Sequence, residues 1–180
     1  MHQIRPAIAL TFLLAARFLN AQTTWNGLRF RMTESEVKQA LKSRAVRPSA
    51  RVKTENETKE YVGWEVHDLE LEQMRGFAII LFDAVSHRLS GVVVYVKDPD
   101  MDVHALAFPD EDEHASIFAM RLQSLRDEIS KKYGHPFLHS CPTLQSCKTT
   151  WRDKQQIVDM DIMAGSVLIH YRLRDSTPDL

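Results

Sequence analysis

The stretch Gly76–Val96, GFAIILFDAVSHRLSGVVVYV, holds two apolar runs joined by six mostly polar residues, and it decides the fold. Gly76–Phe82 and Leu89–Val96 are apolar on both faces and rich in β-branched and aromatic residues, which fit the pleated surface of a central strand. Asp83–Arg88 between them is of hairpin length, so the two strands are antiparallel neighbours. Upstream, Tyr61–Val66 alternates, with Val62, Trp64 and Val66 on one face. Leu69 and Leu71 fall on the opposite parity, which places a bulge or turn at His67-Asp68.

The segment before these strands reads as a capped helix. In Trp25–Leu41 (WNGLRFRMTESEVKQAL), Thr33 is followed three residues later by Glu36, a capping box. Met32 and Val37 sit where a hydrophobic staple needs them, and Val37, Ala40 and Leu41 form one apolar stripe. The predicted helix runs from Thr33 to about Arg44, Pro48 stops any continuation, and Ser49–Lys59 is a polar loop. A second helix is predicted from about Asp110 to Tyr133. Phe118, Leu122, Leu125, Ile129 and Tyr133 are spaced 4, 3, 4 and 4 apart, a core-facing stripe. Gly134 and Pro136 end it. After a loop carrying Cys141 and Cys147 come three strand candidates, Lys148–Arg152, Gln156–Met163 and Ser166–Leu173. Their connections, Asp153-Lys154 and Ala164-Gly165, are two-residue turns.

The predicted plan is α+β: two helix-plus-three-strand units in tandem, about 25–97 and 104–173, forming an antiparallel sheet with both helices packed on one face. A curved, cone-like sheet enclosing a ligand pocket uses the same elements and is the alternative. Residues 22–174 form one domain and 175–180 a flexible tail.

Residues 1–21 read as a signal peptide. Met1–Pro6 carries Arg5, Ala7–Ala16 is a ten-residue apolar run, and Ala21 is the small residue before the cut. Ten apolar residues span about 15 Å as a helix, half of a bilayer core of roughly 30 Å. No other segment is long and apolar enough to read as a membrane span. The expected location is therefore exported, periplasmic or secreted. The whole chain has 180 residues, 23 basic and 24 acidic, with a net charge of −1. Cleavage after Ala21 removes two arginines and no acid, leaving a mildly acidic mature chain. That balance offers no basic stripe for nucleic acid.

The opening Trp25-x-Gly27-Leu28-x-Phe30-x-Met32-Thr33-x-x-Glu36-Val37-x-x-x-Leu41 resembles that of small exported bacterial domains of the SmpA/BamE and β-lactamase-inhibitor-protein-like type. The run Lys132-Tyr133-Gly134-x-Pro136 and the later Trp151 resemble the second half of related exported proteins. Position 31 is Arg where such openings often carry Gly, and no Cys is present to hold the lipid anchor of the SmpA/BamE group. The resemblance implies a protein-binding or scaffolding role in the envelope and carries over no catalytic residues.

Chemistry-bearing groups are sparse. Cys141 and Cys147 are an even pair in an oxidising compartment, which favours a disulfide. With His135 and His139 they also have the residue types of a zinc site, the weaker reading because exported thiols oxidise. His67-Asp68 offers an Asp-oriented imidazole for a hydrolase, with no nucleophile motif beside it; a turn histidine is the simpler reading. Asp102, His104 and Asp110–His114 form an acidic stretch without the glycine or carboxylate spacing of a calcium loop. Asp159 and Asp161 share one strand face, read as an open polar face, and His170 is read as a half-exposed sheet residue. Trp25, Trp64 and Trp151 are read as core. The expected function is a non-enzymatic module without cofactor that binds an envelope protein or peptide. A carrier with a pocket between sheet and helices is the alternative, and a hydrolase using His67-Asp68 or the His135 cluster a third.

Overall fold

The computed structural model describes residues 24–42, 46–48, 59–99, 101, 113–143, 146–163 and 165–174. The leader, the acidic stretch 102–112 and the tail 175–180 lie outside the described residues. Two helices, α1 (Glu34–Ala40) and α2 (Glu113–Tyr133), accompany eight strands: β1 (Val46–Pro48), β2 (Glu60–Leu71), β3 (Met74–Asp83), β4 (Leu89–Lys97), β5 (Leu138–Thr143), β6 (Ser146–Arg152), β7 (Gln156–Met163) and β8 (Ser166–Leu173). They form one antiparallel sheet in the order β1-β2-β3-β4-β8-β7-β6-β5. The fold is α+β and mostly sheet. Among the described residues no helix is long and apolar enough to cross a membrane.

Helix α1 starts where the capping box places it. Thr33 Oγ1 accepts from the Glu36 amide at 3.3 Å, and the Glu36 carboxylate accepts from the Thr33 amide at 2.7 Å. These hydrogen bonds hold the Glu36 carboxyl below its usual range and satisfy two of the amides a helix start leaves open. The helix ends at Ala40 with Leu41 as its cap, shorter than the expected run to Arg44. Helix α2 ends at Tyr133, and Gly134 follows with φ 82°, the left-handed conformation that glycine adopts without steric cost.

Each helix is followed by four strands where three are expected. The Cys loop is strand β5, paired with β6, and Val46–Pro48 pairs with β2. β2 also runs on through His67-Asp68. It carries two extra residues relative to β3, one between Val62 and Trp64 and one between Val66 and Leu69. The first bulge, at Gly63, puts Val62 opposite Leu81 and Trp64 opposite Ile80, so Val62 does not share the face of Trp64 and Val66.

One sheet face is buried. Ala78, Ile80, Val92, Val94, Ile169 and Met160 join a single apolar cluster with Val37 of α1 and Phe118, Leu122 and Ile129 of α2. Burying each such side chain contributes roughly 1.5–3 kcal/mol. Trp151 is fully buried, and its indole donates to Ser130 Oγ of α2 at 3.0 Å. Trp25 is buried as well, and its segment is tied to α2 where the Thr24 carbonyl accepts from Lys132 Nζ (2.8 Å) and Tyr133 Oη (2.9 Å).

Candidate functional site

The opposite sheet face carries a second apolar set. Strand alternation puts Phe77, Ile79 and Leu81 of β3, Val93 and Tyr95 of β4, and Leu168 of β8 on this side. All six are half-buried, and none of them belongs to the buried core cluster that includes the helix residues. An aromatic row crosses three strands within it. His67 stacks on Phe77 with ring centroids 6.3 Å apart, and Phe77 meets Tyr95 at 5.3 Å. Tyr95 Oη then reaches Ser166 Oγ at 2.9 Å. Such ring pairs add about 0.5–1.5 kcal/mol beyond their buried area and hold the rings in place.

Charge is uneven around this set. Arg75 and Lys97 are direct cross-strand partners and both exposed. Like charges facing each other across a ladder repel. Among the described residues no ion pair neutralises either one. At the far end of β3 and β4 lies a cleft of ≈ 910 Å³. Its charged lining is Arg31, Lys59, Arg88 and Arg172 against Glu60 and Asp83; Leu89, Leu173, Ser86, Ser90 and His170 complete it. The turn before α1 is sewn to β4 here. Arg31 N donates to Leu89 O and Leu89 N to Met32 O, both at 2.8 Å, and Arg88 Nη1 donates to Arg31 O at 2.9 Å. Burial holds the His170 imidazole below its usual pKa, and Arg172 adds to the effect. A smaller cleft of ≈ 190 Å³, lined by Trp25, Leu125, Ile129, Ile169 and Tyr171, lies between α2 and the sheet. That is below the roughly 300–1,000 Å³ of a small-molecule pocket.

Cys141 and Cys147 are disulfide-bonded, which joins β5 to β6. His139 Nδ1 lies 3.7 Å from Cys141 Sγ, and Arg126 Nη2 lies 3.9 and 3.8 Å from the two sulfurs. The ligand atoms of His139, Cys141 and Cys147 all fall within 4.8 Å of one another; His135 is not in this group. While the bridge is closed neither sulfur is a thiolate, the form that binds zinc.

The other expected candidates are dispersed. His67 Nε2 pairs with Glu65 Oε2 at 3.1 Å, and Asp68 is exposed with φ 57°; neither lines a described cleft. Asp159 and Asp161 share a face as expected, yet Asp159 is buried rather than open. It accepts from Thr150 Oγ1 at 2.8 Å and from Arg172 Nε at 3.0 Å. Asp161 faces Lys148 Nζ at 3.7 Å. His170 is a half-buried residue on the outer face of β8, as its alternation with Val167, Ile169 and Tyr171 predicts, while Trp64 is only half-buried. His114 is exposed on α2; Asp102, His104 and Asp110–Asp112 lie outside the described residues. No protein-family model matches the chain, and neither a curated protein nor a solved structure does.

Proposed function

We infer that this is an exported, non-enzymatic α+β binding module that holds an acidic segment of an envelope protein on the open face of its sheet. The observation that carries the reading is the half-buried apolar set around Phe77 and Tyr95, which lies outside the buried core cluster among the described residues and is bordered by the Arg75–Lys97 pair. Rigid aromatic anchors supply most of the free energy at protein interfaces. Arg75 and Lys97 face each other, with Glu70 across from Arg75 on β2, and neither cation forms an ion pair among the described residues, which favours a partner that brings carboxylates. Both helices then share the buried face, leaving the other for the partner. The leader read at residues 1–21, the disulfide and the resemblance of Trp25–Leu41 to the SmpA/BamE and β-lactamase-inhibitor-protein-like openings support an envelope setting.

The test compares the protein with Phe77→Ser/Tyr95→Ser and Arg75→Glu/Lys97→Glu variants as baits in envelope extract, with melting temperatures measured alongside. The partner captured by the native protein is purified and its affinity for each bait measured. Loss of two central aromatic anchors is expected to weaken binding by about 100-fold, and charge reversal to weaken it while removing its salt sensitivity. A partner bound equally by all three, or no saturable partner at all, refutes the reading.

A further inference from the structure

We propose that the cleft beside the β3–β4 hairpin is a binding site for a small organic anion, a carboxylate or phosphate ester carried on an apolar body. It lies at the end of the same outer face, where His170 is the cross-strand partner of Val93, and none of its lining residues is Phe77 or Tyr95; its size of ≈ 910 Å³ suits a small molecule.

Four cationic side chains line it against two acidic ones. Asp83 is partly spent within its own hairpin, where Oδ1 accepts from the amides of Val85 (3.1 Å) and Ser86 (2.6 Å). Arg172 uses Nε on Asp159 and Arg88 uses Nη1 on a carbonyl, so each guanidinium keeps further N–H donors. Arg31 makes no ion pair among the described residues. Lys59 makes none within contact distance, though its charge adds to the Ser86 and Val85 hydrogen bonds that hold the Asp83 carboxyl below its usual range. Planar guanidinium forks match both carboxylate and phosphate oxygens.

Two of the residues lining the cleft each hold a buried polar atom without a partner. Ser90 Oγ and His170 Nε2 are buried and make no hydrogen bond. Five other described side chains hold such an atom, at Thr24, Trp64, Arg126, Arg152 and Gln156, but Ser90 and His170 are the two that line this cleft, and a buried polar atom without a partner calls for a ligand or a specific reason. Ser90 is the extra residue in β4: Leu81 pairs with Gly91 while Phe82 pairs with Leu89, which leaves Ser90 without a counterpart. Bulges of this kind re-aim a side chain at functional sites. Gly91 beside it makes room for the imidazole, because a Cβ there would lie 3.3 Å from His170 Nε2. Leu89 and Leu173 supply apolar lining for the body of the ligand.

The conformation of Arg31 adds to this. Its φ is 67°, in the left-handed region that favours glycine. Six described non-glycine residues adopt a positive φ, Asn26, Arg31, Asp68, Glu72, Gln73 and His87, and Arg31 is the one among them that lines the cleft, which is consistent with strain retained at a working site.

That conformation also supplies the discriminating variant. Arg31→Gly relieves the backbone while deleting the cation, so it leaves the melting temperature unchanged or higher. Phenyl phosphate, hexanoate and inorganic phosphate are titrated into the native protein by calorimetry, with backbone amide shifts recorded by NMR. Phenyl phosphate or hexanoate is expected to bind saturably below about 1 mM and to shift Ser90, Gly91 and His170. Arg31→Gly and Lys59→Gln are each expected to weaken that binding by about tenfold. Phe77→Ser/Tyr95→Ser is expected to leave it unchanged, which separates this site from the protein-binding set around Phe77. The proposal is overturned by any of three results: no saturation by either organic anion up to about 10 mM, equal affinity in a stably folded Arg31→Gly variant, or inorganic phosphate binding as tightly as both organic anions.

Discussion

Gly76→Ala is expected to open the sheet between β3 and β4 beside the aromatic row. A Cβ added at Gly76 would sit 1.8 Å from the Tyr95 carbonyl oxygen, 2.7 Å from its carbon and 2.8 Å from Val96 Cα. All three are backbone atoms of the neighbouring strand, so no rotamer change relieves the clash. Ordinary contact begins near 3.4 Å, so the strands must part locally by about 1.6 Å. Ladder strands sit about 4.8 Å apart, and an opening of that size breaks the adjacent hydrogen bonds. Two lost bonds at about 1 kcal/mol each, with overpacking of 1–3 kcal/mol, give a destabilisation of about 3–5 kcal/mol. For a domain stable by about 5–15 kcal/mol that is a large share. Gly91→Ala is the matched control, because its nearest contacts are 3.3 Å and two of the three are side-chain atoms; it should cost less than about 1 kcal/mol. Urea unfolding followed by tryptophan fluorescence measures both. Gly76→Ala should also loosen the Phe77–Tyr95 pair and weaken partner binding more than stability alone accounts for. A Gly76→Ala protein within about 1 kcal/mol of the native one, or a Gly91→Ala protein damaged as much, refutes this account of how β3 and β4 approach.

Replacing both Cys141 and Cys147 by Ser is expected to lower stability by about 2 kcal/mol, the chain-entropy value for so small a ring. Unfolding midpoints with and without reductant check this, and an unchanged midpoint would show the bridge to be dispensable. Zinc added to the oxidised protein should leave the melting temperature unchanged, since the sulfurs are not thiolates; a rise would restore the metal reading of His139 and its neighbours. Because folding depresses the His170 pKa below its ordinary 6.5, the unfolded chain takes up the proton first as pH falls. The contribution of neutral His170 is therefore complete above about pH 6.5 and is lost on acidification through the folded-state pKa. Unfolding free energies from pH 7.5 down to pH 5 should decline less in His170→Asn, and parallel curves would show that His170 carries no proton linkage.

What was legible in the chain follows the range of the interactions involved. The capping box at Thr33 and Glu36, the stop at Gly134 and the strands β3, β4, β7 and β8 are specified by residues within a few positions of each other, and they lie close to where their patterns place them. Strand β5 carries Pro142, is exposed along its whole length and shows no alternation. It is a strand because β6 pairs with it; the disulfide between the two was readable from Cys141 and Cys147, but the pairing was not. The cleft was illegible for a stronger form of the same reason. Arg31, Lys59, Arg88 and His170 come from the pre-helix turn, the start of β2, the hairpin and β8, so no spacing rule relates them. Two local features of the chain coincide there, of which only the first was read from the sequence. One is an arginine where similar openings have glycine; the other is a Ser-Gly step inside an otherwise apolar strand. In the folded chain the first is a strained backbone and the second a bulge, and the two adjoin across the hydrogen bond from Arg31 N to Leu89 O. Irregularities that cost stability separately, and that the fold brings to one cleft, are better evidence of a ligand than any motif this chain contains.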